Sequence, residues 1–84
     1  MRVGTQFAGT VNGGTSHRWF TWNWLPEWHV VWMVVPDSTN PGAPQVEWDV
    51  AVQRGSPTGV TYWITVRNLT AAPVAIEARY AILD

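Results

Sequence analysis

The chain has 84 residues, a formal net charge of −1, no cysteine, and charged side chains at only 13% of its positions. That length makes one domain, residues 1–84; the missing cysteines exclude disulfide staples, and five scattered basic residues argue against a nucleic-acid surface. Seven tryptophans exceed what so small a core holds, which places some rings at a subunit contact or a binding site, where aromatics are enriched and charges depleted.

The first apolar run, Thr5 to Val11, has the pattern of an edge strand. After the Gly13-Gly14 turn, the run from His17 to Trp24 carries rings on both faces, with Phe20, Trp22 and Trp24 on one side and Trp19 on the other. Leu25-Pro26-Glu27 breaks the pattern, and the third run, His29 to Val35, is apolar on both faces beyond its histidine. A strand apolar on both sides is covered on both sides. The second cover is most simply another copy of the chain, so the sequence predicts a symmetric homo-oligomer with a Trp19–Val35 hairpin at the contact. A loop rich in proline, asparagine and glycine follows from Asp37 to Pro44.

The last three runs alternate cleanly. Val46, Trp48, Val50 and Val52 oppose Gln45, Glu47, Asp49 and Gln53; Val60, Tyr62, Ile64 and Val66 oppose Thr61, Trp63, Thr65 and Arg67. Beyond the Asn68–Pro73 turn, Val74, Ile76, Ala78, Tyr80 and Ile82 share one face of the sixth run. Period-2 patterning of this kind describes antiparallel strands with one buried face, and the short connections predict that these three runs pair as neighbours. The expected fold is all-β: a small antiparallel β-sandwich or open barrel of about six strands. Its expected core comprises the apolar face of the fourth run, Val60, Tyr62, Ile64, Val66, Val74, Ile76, Tyr80 and Ile82.

The stretch from Tyr62 to Val74 (Tyr-Trp-Ile-Thr-Val-Arg-Asn-Leu-Thr-Ala-Ala-Pro-Val) resembles the strand-turn-strand cadence of immunoglobulin-like bacterial modules. The resemblance covers a small part of the chain, implies a sandwich, and carries no site residues across.

Chemistry-bearing groups are few. His17 and His29 have no partners at metal-ligand spacing, and Ser16 and His17 point to opposite faces if both lie in a strand. Glu47 and Asp49 share one strand face roughly 6.5–7 Å apart at the backbone. The reading for them is a solvated strand face or a binding role, because paired-carboxylate hydrolysis needs a deep cleft. No catalytic residue, metal or cofactor is assigned, and the chain reads as a non-enzyme.

No apolar stretch reaches the roughly 18 residues of a membrane span, and Met1–Gly4 lacks the apolar core of a secretory signal. That suits a cytoplasmic protein, or a bacterial secreted one without disulfides. Asn68-Leu69-Thr70 matches a glycosylation acceptor but reads as a plain turn. Trp63 stands on a polar face and Trp28 at a loop-strand junction, and a ring placed outside the core by its pattern is the informative kind. Indole suits a ligand that is part apolar and part hydroxylated. The expected function is therefore lectin-like carbohydrate binding by Trp63 and Trp28 with Asn23, Gln45, Glu47 and Asp49. The alternative is an assembly protein whose tryptophans join subunits.

Overall fold

A computed structural model describes all residues from Met1 to Asp84. Six strands and no helix form the chain: β1 (Arg2–Val11), β2 (Ser16–Phe20), β3 (Val30–Pro36), β4 (Val46–Ser56), β5 (Gly59–Asn68) and β6 (Val74–Ile82). They make two three-stranded antiparallel sheets, β1-β6-β3 (sheet A) and β2-β5-β4 (sheet B), which are not closed into a barrel. No helix is long and apolar enough to cross a membrane.

The connections explain this arrangement. Gly14, at φ +68°, makes the tight turn after Asn12, where Thr15 N–H donates to the Asn12 carbonyl, and the chain passes from sheet A to sheet B. It returns to sheet A through residues 21–29 and crosses again through the 37–45 loop. β4 and β5 are joined by the two-residue turn Pro57-Thr58, beside a bulge between Arg54 and Ser56. A last crossing by residues 69–73 puts β6 in the centre of sheet A.

Two topological expectations are corrected here. β4 and β5 do pair, but β6 lies in the other sheet between β1 and β3. Likewise β2 and β3 belong to different sheets, so no Trp19–Val35 hairpin exists. The reason is that alternation records which side chains share a face, and both crossings leave that record unchanged. The edge position expected for the first run holds, with β1 extending from Arg2.

Both sheets contribute to one core: Val11, Trp32, Val34, Val74, Ile76 and Ala78 from sheet A meet Ile64 and Val66 from sheet B. Rings fill the rest. Phe7 stacks on Trp19 at 5.0 Å and lies 6.4 Å from Trp32. Trp24 sits 5.2 Å from Trp32 and edge-on to Tyr62 and Tyr80. A β-carbon on Gly9 would stand 3.1 Å from the Trp19 ring, so a strand glycine makes room for the indole.

The core expectation fails on β4. Trp48 and Val50 are each 38% exposed and Val52 63%, and only Val46 is half-buried. Their face is the inward one, paired through Val66, Ile64 and Tyr62. Sheet A ends there in the seven-residue edge strand β3, which leaves most of the eleven-residue β4 without a cover. Tyr62 and Tyr80, also expected in the core, are half-buried.

Candidate functional site

The outward face of sheet B collects the polar and aromatic side chains that alternation places away from the core. Across its three strands, Phe20 pairs with Trp63 and Ala51, Arg18 with Thr65 and Asp49, and Ser16 with Arg67 and Glu47; Thr61 pairs with Gln53. At one end the face is tied by charge. Arg67 Nε donates to Glu47 Oε1 and Nη1 to Asp49 Oδ2, each at 2.8 Å. The hydrogen bond from Arg67, more than its charge, holds the Asp49 carboxyl below the usual aspartate value, while the two carboxylates raise the guanidinium's own pKa.

The middle of the face is occupied by Trp63. Its indole N–H donates to Gln53 Oε1 at 3.2 Å, the Arg18 guanidinium lies 4.8 Å above the ring, and Phe20 is 5.1 Å away. Trp63 is thus half-buried under its neighbours, more a covered plate than an open platform.

At the opposite end lies an open recess of about 310 Å³ lined by Trp22, Asn23, Gln53, Gly55, Ser56, Gly59 and Thr61. Backbone geometry makes it. After β2, Thr21 N–H still bonds the Tyr62 carbonyl, and Trp24 exchanges both backbone hydrogen bonds with Val60. Between them Asn23 adopts φ +59°, the left-handed conformation that asparagine tolerates better than most residues. This reversal breaks the alternation: Trp22 stays outside at 79% exposure while Trp24 turns into the aromatic core. Gly59 completes the fit, because a β-carbon there would collide with the Asn23 side-chain oxygen.

The six residues singled out by sequence therefore separate. Asn23 lines the recess, and Trp63 adjoins it through Gln53. Glu47 and Asp49 share the face but are engaged by Arg67. Gln45 lies beyond the far end of β4, where its carbonyl accepts from Leu69 N–H and its amide donates to Ser38 Oγ. That is roughly 27 Å along the strand from Gln53, at about 3.4 Å per residue. Trp28 sits on the crossing between sheets, edge-on to Trp24 at 5.8 Å and 4.4 Å below the Arg2 guanidinium. Trp22, Gln53 and Thr61 were not singled out by sequence. The usable signal was Asn23 itself, flanked by tryptophans in a run where a left-handed residue inverts one of them.

No group of three or more histidine, cysteine or acidic side chains is positioned to hold a metal ion. The recess offers one broad apolar ring surrounded by uncharged donors and acceptors, an arrangement that can stack against a C–H face and hydrogen-bond hydroxyls. No family model, curated protein or solved structure matches the chain.

Proposed function

We propose that the chain is a non-enzymatic, lectin-like glycan-binding module, with its site in the recess at the β4–β5 hairpin end of sheet B. In this reading the two sheets pack as a β-sandwich, Trp22 stacks on a sugar ring, and Asn23, Gln53, Ser56 and Thr61 hydrogen-bond its hydroxyls. The observation that carries it is the exposed Trp22 indole bordering a recess of about 310 Å³ whose other side chains are small or polar and none charged. That volume is at the lower end of ligand pockets, about 300–1,000 Å³, so the occupant is one neutral sugar unit or chain terminus. Phe20, 58% exposed, extends the apolar surface for a second unit.

The test is a glycan array probed with the labelled protein and with its Trp22→Ala variant. Binding to a related group of neutral sugars, competed by the free sugar and lost in the variant, supports the proposal. A blank array, or binding that Trp22→Ala leaves intact, overturns it.

An assembly role is the second reading, favoured by apolar side chains left open elsewhere. Trp48, Val50 and Val52 are exposed on β4, and Val3, Val31 and Met33 on the outer face of sheet A.

A further inference from the structure

We infer that the chain forms a two-fold dimer by antiparallel pairing of β4 with β4 of a second copy, an interface that goes beyond the glycan reading and does not depend on it.

β4 is the outer strand of sheet B. The backbone bonds around β5 fix which of its polar groups are free. Val60 exchanges hydrogen bonds with Trp24, and Tyr62 accepts from Thr21, so the even-numbered residues of β5 are turned toward β2. Leu69 donates to Gln45, so the odd-numbered ones are turned toward β4. Given the β4–β5 register, Glu47, Asp49, Ala51 and Gln53 form the ladder. The N–H and C=O groups of Val46, Trp48, Val50 and Val52 therefore point to the open edge, and no side chain or loop bonds them.

These are the same residues whose apolar side chains sheet A leaves uncovered, with Trp48 and Val50 at 38% and Val52 at 63% exposure. The usual protections of an edge are also missing. β4 has no lysine or proline, its bulge lies only at the Arg54–Ser56 end, and its carboxylates are drawn back over the sheet by Arg67. A strand with free ladder groups and an open apolar face on the same residues is matched by another strand of the same kind.

Charge and geometry select the register. Centring the two-fold on Val50 puts Val50 opposite its own copy, Trp48 opposite Val52, and Val46 opposite Arg54. On the other face Glu47 meets Gln53 and Asp49 meets Ala51, so no like charges oppose. Centring on Asp49 would set two carboxylates face to face, which destabilises a cross-strand pair. Centring on Ala51 would run the pairing into the bulge. In the Val50 register every free polar group from Val46 to Val52 gains a partner, and both copies' Trp48, Val50 and Val52 cover one another.

The experiment is sedimentation equilibrium at high micromolar protein, combined with residue-resolved amide hydrogen exchange. The dimer gives twice the 9.4 kDa chain mass, with slow, concentration-dependent exchange at Trp48, Val50 and Val52. Val50→Pro removes an N–H that the β5 ladder does not use, and Val50→Lys charges the edge. Each is expected to halve the mass while native far-ultraviolet dichroism is kept; if the proline variant does not fold, the lysine variant decides. A wild-type mass of 9.4 kDa with fast exchange at the three even amides overturns the inference. So does a dimer that survives both Val50 substitutions, or one that is lost instead with Met33→Lys on the outer face of sheet A.

Discussion

The Asn68 side-chain amide donates to the Val11 carbonyl at 2.9 Å, joining the end of the central strand of sheet B to the end of an edge strand of sheet A. The same nitrogen donates to the Ala72 carbonyl at 2.7 Å, and the Asn68 oxygen accepts from both the N–H and the hydroxyl of Thr70. Asn68 is only 3% exposed, so its polar capacity is spent within the protein. This makes Asn68-Leu69-Thr70 the turn that its sequence suggests, with a side chain closed to modification once folded. Asn68→Ala leaves the Val11 carbonyl and the Thr70 N–H without their Asn68 partner, while the Thr70 hydroxyl still donates to the Ala72 carbonyl. The expected cost is about 2–6 kcal/mol, since each unsatisfied buried group costs about 1–3 kcal/mol. Urea unfolding measures it, and a loss below about 1 kcal/mol would show that water replaces the amide.

Ligand binding and stability are expected to respond to different tryptophans. Trp22→Ala should leave the unfolding free energy within about 0.5 kcal/mol of the parent, as for other exposed positions, while binding falls below detection. Trp63→Ala removes a half-buried ring contacted by Arg18, Phe20 and Gln53, so it should lower stability and weaken binding only through Gln53. Titration calorimetry beside thermal unfolding separates these effects.

Asn23 admits a sharper experiment. Asn23→Gly keeps the left-handed backbone at φ +59° and removes only the amide, whereas Asn23→Ala also strains the chain by about 1–2 kcal/mol. The glycine variant should fold normally and bind sugar less tightly. Full binding by Asn23→Gly would assign Asn23 a purely conformational role.

The inward faces of β5 and β4 should be unequal in energy although they look alike in sequence. Ile64, fully buried, is expected to cost about 2–5 kcal/mol on truncation to alanine. Val52→Ala, at an exposed position, should cost under about 1 kcal/mol in the monomer. Equal losses would mean that β4 is covered in solution, which the dimer would also produce; repeating the pair in the Val50→Lys background distinguishes the two.

Acid should act on two surface carboxylates. Hydrogen bonding from Arg67 lowers Asp49 from its ordinary 3.8, and hydrogen bonding from Thr5, then Arg79, lowers Glu77 from 4.5. A carboxyl with a lowered folded-state pKa stabilises the fold above its unfolded value and loses that contribution as pH falls through the folded value. Stability should therefore decline as pH drops below about 4.5, and Asp49→Asn with Glu77→Gln should flatten that limb. Asp49 is exposed and Glu77 half-buried at the surface, so added salt should shrink the difference, more for Asp49.

Much of this was legible in the chain. Strand number, the turns, and the inward faces of β5 and β6 follow from alternation, because both strands are central and their inner faces are covered. β4 carries the same alternation without the cover, since periodicity names a face and says nothing of what lies across from it. The recess was half legible: Asn23 was marked, but a single left-handed residue shifts phase, so Trp22 and Trp24, which strict alternation assigns to one face, end on opposite sides. Trp28 reads as a site residue from its loop-strand junction and Gln45 from the polar face it shares with Glu47 and Asp49, but neither signal carries the crossings between sheets that take both away from the recess.

The central place of β6 in sheet A has a kinetic consequence. β1 and β3 have no ladder partner other than β6, so during synthesis both wait, unpaired, until the strand from Val74 to Ile82 has left the ribosome. Sheet B can form earlier from the local β4–β5 hairpin, which makes it the natural nucleus, with sheet A closing last over long loops. Folding should be slow for a chain of this size, and truncation within β6 should release β1 and β3 together.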